Sequence, residues 1–215
     1  MLRFIFPLLL LAAPAAAQRI DEQLWLQANA NVLVTDDIAI TLESIGRFSD
    51  RADGFSHSEF GGLVSHKVGP SVEIGIGYRH VQDYDHGRRV PNEERLRQQV
   101  AVGLGGGFST RVRIEQMFSS AGPGVALRWR QQLRFTRSIG DGGFAAFATH
   151  ESFINLNDTR QRGGYDRMRN AIGLQIPLST SLRGETGYLN QYRFGRAAAR
   201  DTMDHVATFA LTLNL

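Results

Sequence analysis

"RVRIEQMF", residues 111–118, alternates charge and hydrocarbon almost one residue at a time. Arg111, Arg113 and Glu115 fall on one face of an extended chain; Val112, Ile114 and Phe118 fall on the other, with Gln116 its one polar member. Successive side chains of a strand point to opposite sides, so a period of two describes a strand with one wet and one oily face. Two environments want such a strand. In a sandwich the oily face looks inward at a partner sheet, and in a membrane barrel it looks outward at lipid.

The same period runs outward from this stretch along most of the chain. Leu24, Leu26, Ala28, Ala30, Val32 and Val34 oppose Trp25, Gln27, Asn29 and Asn31; Ile38, Ile40 and Leu42 oppose Glu43 and Arg47. Phe60, Gly62 and Val64 oppose Glu59 and Lys67, and Val72, Ile74, Ile76 and Tyr78 oppose Glu73 and Arg79. Residues 95–104, 125–135, 144–154, 167–176, 182–193 and 205–215 repeat the pattern, giving eleven candidate strands with 111–118 included. Tight turns are expected at Thr35-Asp36-Asp37, Gly69-Pro70, Gly105–Gly107, Gly140–Gly143 and Ser179-Thr180, and longer polar loops at 49–56, 82–94, 119–124, 155–165 and 194–202. Short turns on one rim and long loops on the other fit a transmembrane barrel with the short rim in the periplasm.

The amino terminus supports export. Arg3 is followed by apolar residues from Phe4 to Ala13, then by Pro14 and three alanines, the layout of a cleaved secretory signal at 1–17. No later run is long and apolar enough to cross a bilayer as a helix. Cysteine is absent, which excludes a disulfide framework, a thiolate metal site and a lipidated cysteine. The net charge of +3 is spread as interleaved Arg and Glu rather than a basic block, so nucleic acid is not an expected partner.

These observations lead to an antiparallel transmembrane β-barrel of about 10–12 strands over residues 18–215 in the outer membrane of a Gram-negative bacterium, with a soluble periplasmic β-sandwich as the alternative. A single-chain bacterial barrel has an even strand number, so eleven segments imply either that 21–34 stands outside the wall or that a connection hides a twelfth strand. Aromatic residues near apolar-face strand ends form two expected belts: Phe48, Tyr78, Phe118, Tyr188 and Tyr192 toward the long-loop rim, Phe108, Phe135 and Phe144 toward the short one.

"RVRIEQMF", preceded by "ERLRQQV" (94–100) and "GYRHVQDY" (77–84), resembles the bacterial outer-membrane family known as domain of unknown function 2490. "LRWRQQLRF" (127–135), "HESFIN" (150–155), "RMRNAIGLQIPL" (167–178), "GYLNQY" (187–192) and "DHVATFALTLNL" (204–215) extend the resemblance over nearly the whole mature chain. The first residue of "HESFIN" departs from it, standing where Asn would be usual. The resemblance implies an outer-membrane barrel and no particular activity.

In such a barrel the polar faces line the lumen with Glu43, Arg47, Glu73, Arg79, Arg95, Arg97, Arg111, Arg113, Glu115, Arg128, Arg130, Arg134, Glu151, Arg167, Arg169, Arg183, Glu185 and Arg193. Guanidinium forks bridging carboxylates on neighbouring strands would fill the interior as a ladder of ion pairs. The arginine excess would also border a narrow path that favours anions. The expected protein is therefore a structural or porin-like barrel, not an enzyme, with no cofactor and no metal. Its expected partners are outer-membrane lipid, lipopolysaccharide and, during biogenesis, the barrel-assembly machinery.

Two polar groups lie apart from this lumen face. His150 and Ser152 share an outer face, with Asn170 expected on the next strand, and a Ser–His pair there resembles outer-membrane phospholipase A, whose other motifs are absent. A lipid-modifying enzyme is thus the alternative function, against polar residues that merely sit near a membrane interface. His80 and His86 with Asp83 and Asp85 fall in or beside a loop, a solvated segment rather than a divalent site. "GLGGG" (103–107) is a turn that opens no helix, so it cradles no phosphate.

Overall fold

A computed structural model describes residues 19–159, 162–195 and 199–215. The expected signal segment at 1–17 lies outside them. The described chain holds only strands: β1 (Arg19–Leu33), β2 (Ile38–Ser49), β3 (Gly54–Gly69), β4 (Val72–Asp85), β5 (Arg88–Arg89), β6 (Glu93–Gly105), β7 (Phe108–Ser119), β8 (Val125–Ile139), β9 (Phe144–Asn155), β10 (Gly164–Pro177), β11 (Leu182–Arg193) and β12 (Thr202–Asn214).

Each wall strand pairs antiparallel with the next, β4 with β6, while the two-residue β5 folds back on the tip of β4. The sheet closes when β1 pairs with β12 from Arg19↔Thr202 to Asn31↔Asn214, and this last pairing is parallel. Eleven strands therefore form the wall. The expectation of ten or twelve is corrected: residues 21–33 belong to a full wall strand, and among the described residues no twelfth is hidden. An up-and-down chain with an odd strand number leaves its first and last strands pointing the same way, so closure requires one parallel seam. The barrel is for that reason not wholly antiparallel. A sandwich is overturned by the same pairing, because one sheet closes on itself.

The five expected tight turns all join strands at one rim. At the other rim the strands run further than the hydrophobic period suggested. Four residues join β2 to β3, and β4 continues to Asp85 through a segment expected to be loop. Above the apolar band both faces of a strand meet water, so the ladder continues without the alternation that revealed it lower down. Tyr78 and Tyr188 consequently lie mid-strand, hydrogen-bonded to Glu94 and His205, whereas Phe48, Phe118, Phe108 and Phe144 are exposed at strand ends.

The side-chain distribution is that of a soluble protein turned inside out. Phe60, Ile172 and Ile76 are 65%, 63% and 60% exposed on the outer surface, while Arg97 and Glu115 are 0% and 1% exposed inside. Inward glycines make room for the large groups. A Cβ on Gly77 would lie 2.8 Å from Arg97 Nε and closer still to the Gly62 carbonyl, and one on Gly173 would lie 2.7 Å from Phe147 Cζ.

Candidate functional site

The interior is a lattice of guanidinium and carboxylate groups carried by alternate residues of adjacent strands. Glu115 on β7 is its centre, with Arg130 Nη1 at 2.6 Å and Arg113 and Arg128 each at 3.8 Å. Arg130 also reaches Glu151 at 2.8 Å, and Arg111 reaches the same carboxylate at 3.5 Å. A second cluster lies across β2, β3, β4 and β6. There Glu59 meets Arg47 at 2.8 Å, His57 at 2.7 Å and Arg79, and Glu43 meets Arg79 at 2.9 Å and Arg97. Arg134 and Glu185 form a third pair, at 2.9 Å. Removal of charges from water is costly unless each finds a counter-charge and hydrogen bonds, and forked donors meeting two carboxylates satisfy both demands.

Aromatic rings complete the packing. Arg130 and Arg169 stand over Phe153 at 4.6 and 4.7 Å, Arg47 and Arg169 over Trp25 at 4.0 and 4.7 Å, and Arg134 over Phe147 at 4.2 Å. Arg169, which makes no ion pair among the described residues, is held by these two rings and by Gln191 at 2.8 Å. Within the lattice remains a cavity of about 520 Å³. All the lumen residues named from sequence border it except Arg97 and Glu115, which are packed in the surrounding network, and Glu73 and Arg183, which sit toward the short-turn end.

Several lumen members were not singled out from sequence: Glu59, His57, Asp21 and Asp204, and the rings of Trp25, Phe147 and Phe153. Glu59 and the two phenylalanines share the parity of neighbours that were named, which is the signal that identifies them.

Outside the wall, the structure brings His150, Ser152 and Asn170 together. His150 Nδ1 lies 2.8 Å from Asn170 Oδ1, and His150 Nε2 lies 3.0 Å from Ser152 Oγ. The loop histidines are dispersed instead: His80 turns to Glu94, His86 to Asp85, and Asp83 to His57. Among the described residues no three of His, Asp and Glu are grouped as metal ligands.

A family described as "Protein of unknown function (DUF2490)" matches residues 22–203. A protein of Methylorubrum extorquens described as uncharacterized is 33% identical over 212 residues, covering 94% of this chain and 90% of that protein. No solved structure matches the chain.

Proposed function

The chain belongs to this family of unknown function, DUF2490, and from its geometry we propose that it is an outer-membrane β-barrel whose charge-packed lumen is a narrow, anion-favouring conduit. The observation that carries the reading is the inversion of its surfaces. Exposed hydrocarbon such as Phe60, Ile76, Ile172 and Phe209 covers the outside, where water would be a poor solvent and lipid tails a good one. The exporting signal agrees, and so does the concentration of tight turns at one rim, which becomes the periplasmic one.

The anion preference follows from charge balance inside. Arg169 and Arg193 reach no carboxylate within ion-pair distance among the described residues, and the Nε and Nη1 atoms of Arg97 are buried without a partner there. Positive charge in excess, enclosed by a low-dielectric wall, draws in water and small anions. Long side chains leave little spare diameter in a barrel of this size, so the conduit is narrow and the ion-pair lattice is equally its framework.

Planar-bilayer recording of the purified mature chain under a potassium chloride gradient tests the conduit. Discrete small steps with a chloride-directed reversal potential are the expected result; cation selectivity, or no current from folded protein, overturns it. Fractionation tests the membrane placement. The chain should pellet with the outer membrane and change gel mobility on heating, and a water-soluble monomer without detergent defeats the reading.

A further inference from the structure

A row of polar side chains crosses the apolar outer surface. His150 on β9 is opposite Asn170 on β10, Asn170 is opposite Asn190 on β11, and Asn190 is opposite His205 on β12. Toward the short turns the outward positions become Ala148, Ala146 and Phe144 on β9 and Phe209, Leu211 and Leu213 on β12. Two members of the row, Asn170 and His150, form a directed relay with Ser152, two residues along β9. Asn170 Oδ1 can only accept, so the proton of the imidazole sits on Nδ1, 2.8 Å away. That tautomer turns the Nε2 lone pair toward Ser152 Oγ at 3.0 Å, the arrangement of a general base beside a nucleophile. Ser152 Oγ in turn lies 2.9 Å from the Tyr165 hydroxyl. Gln131 stands opposite Ser152 on β8, and its amide makes no hydrogen bond among the described residues.

We propose that Ser152, His150 and Asn170 form a hydrolytic centre on the outer wall that cleaves acyl esters of lipids lying against the barrel. The substrate class rests on the membrane placement above. Ser152 is three residues from the end of β9 at Asn155, about 10 Å of strand, a depth near the boundary between headgroups and acyl chains. His150 and Asn170 are exposed on that surface. A relay open to water would be weakened by competing hydrogen bonds, whereas in a lipid environment the same groups interact strongly.

The chemistry balances with water as the only co-reactant. Ser152 Oγ attacks the ester carbonyl while its proton passes to His150 Nε2. The Tyr165 hydroxyl and the Gln131 amide are placed to donate to the oxygen on which negative charge develops. Collapse breaks the acyl C–O bond, and His150 returns the proton to the departing alcohol oxygen. A water molecule then adds to the acyl carbon while its proton passes to the same nitrogen; collapse breaks the acyl C–Oγ bond, the proton returns from His150 to Ser152 Oγ, and the fatty acid leaves. Asn170 touches no reacting atom and is a positioning residue that holds the imidazole in its productive tautomer.

The test uses the full mature chain refolded in mixed micelles of detergent and a fluorogenic diacyl phospholipid, with a long-chain alkylsulfonyl fluoride as the labelling probe. The expected results are fatty-acid release, and a probe adduct located by peptide mass at Ser152 and lost in His150→Ala. Ser152→Ala should lower release by about 1000-fold or more, while keeping the heat-dependent gel mobility of the parent. Asn170→Ala should lower kcat by about tenfold or more with KM unchanged, and Asn170→Asp should restore it. Folded protein that takes no label at Ser152 and releases fatty acid no faster than Ser152→Ala overturns the proposal. Conductance is read separately and does not involve this outward cluster, so Ser152→Ala should leave the bilayer current as it was. Failure here and failure of the conduit are thereby distinguishable.

Discussion

Asn29 on β1 donates through Nδ2 to Thr212 Oγ1 on β12 at 3.2 Å, joining side chains 183 positions apart across the parallel seam. One step further along, Asn31 Nδ2 donates to Asn214 Oδ1 at 2.9 Å. Parallel ladders are slightly weaker per residue than antiparallel ones, and these two bonds reinforce the one place where the wall is parallel. The double variant Asn29→Ala/Asn31→Ala is expected to lose about 1–2 kcal/mol of stability. Its conversion to the heat-denatured gel mobility should occur at a lower temperature, whereas Gln98→Ala, on the outer face of an antiparallel pair, should shift it less.

Glu115 is the counter-charge for Arg130, Arg113 and Arg128 and is 1% exposed. Glu115→Gln keeps the shape and removes the charge, leaving buried guanidinium groups uncompensated at a cost of about 3–5 kcal/mol. Glu185→Gln breaks a partly exposed pair with Arg134 and should cost less than about 1 kcal/mol. Urea unfolding in lipid vesicles measures both, and equal effects would contradict a lattice centred on Glu115.

Gly77→Ala places a methyl group 2.8 Å from Arg97 Nε and 3.0 Å from Leu63 Cδ1, and nearer still to a backbone carbonyl. Since the Gly62 carbonyl cannot move without disturbing the ladder, overpacking of about 1–3 kcal/mol is expected. Gly103→Ala meets nothing nearer than 3.8 Å and should fold with near-parental yield. Refolding yields of the two variants side by side supply the check.

Arg169 and Arg193 carry charge that no contacting carboxylate neutralises among the described residues. Arg169→Gln/Arg193→Gln should move the reversal potential toward zero under a salt gradient, because in the proposed conduit the positive surplus favours anions. Arg134→Gln removes one positive charge rather than two and leaves Glu185 without its partner, so it should move the potential in the same direction by a smaller amount.

Asp201, beyond the wall strands, accepts hydrogen bonds from the Tyr192 hydroxyl and from the Gly195 amide at 2.7 Å, and these hold its carboxyl below the ordinary value of 3.8. A carboxyl depressed by folding contributes stability above its unfolded value, and loses it as pH falls through the lowered one. A carbon-13 titration of the Asp201 carboxyl should show a midpoint below 3.8, and Tyr192→Phe should raise it.

Much of the wall was readable because its cause is local. In lipid or in a sandwich, one face of each strand must be oily, and the period of two in stretches such as Arg111–Phe118 records that demand residue by residue. The tight turns were equally plain, since Gly105, Gly106 and Gly107 all take positive φ, where other residues are strained. The upper extensions of β4 and β3 were missed because no solvent difference marks the two faces there. Glu59 and Phe153 stand differently: parity already places both side chains inward, and says nothing about which guanidinium each will meet.

The amino-acid order by itself determined the strands, the face that each residue occupies and the rim to which each connection belongs, because all three depend on neighbours within a few positions. Closure was decided only in three dimensions. Whether β1 meets β12, and in which direction, depends on partners at opposite ends of the chain, and the parallel seam follows from the parity of the whole wall. The ion-pair lattice and the Asn170–His150–Ser152 relay are of the same kind: each needs side chains from different strands brought into register by the ladder, a relation that no single stretch of sequence contains.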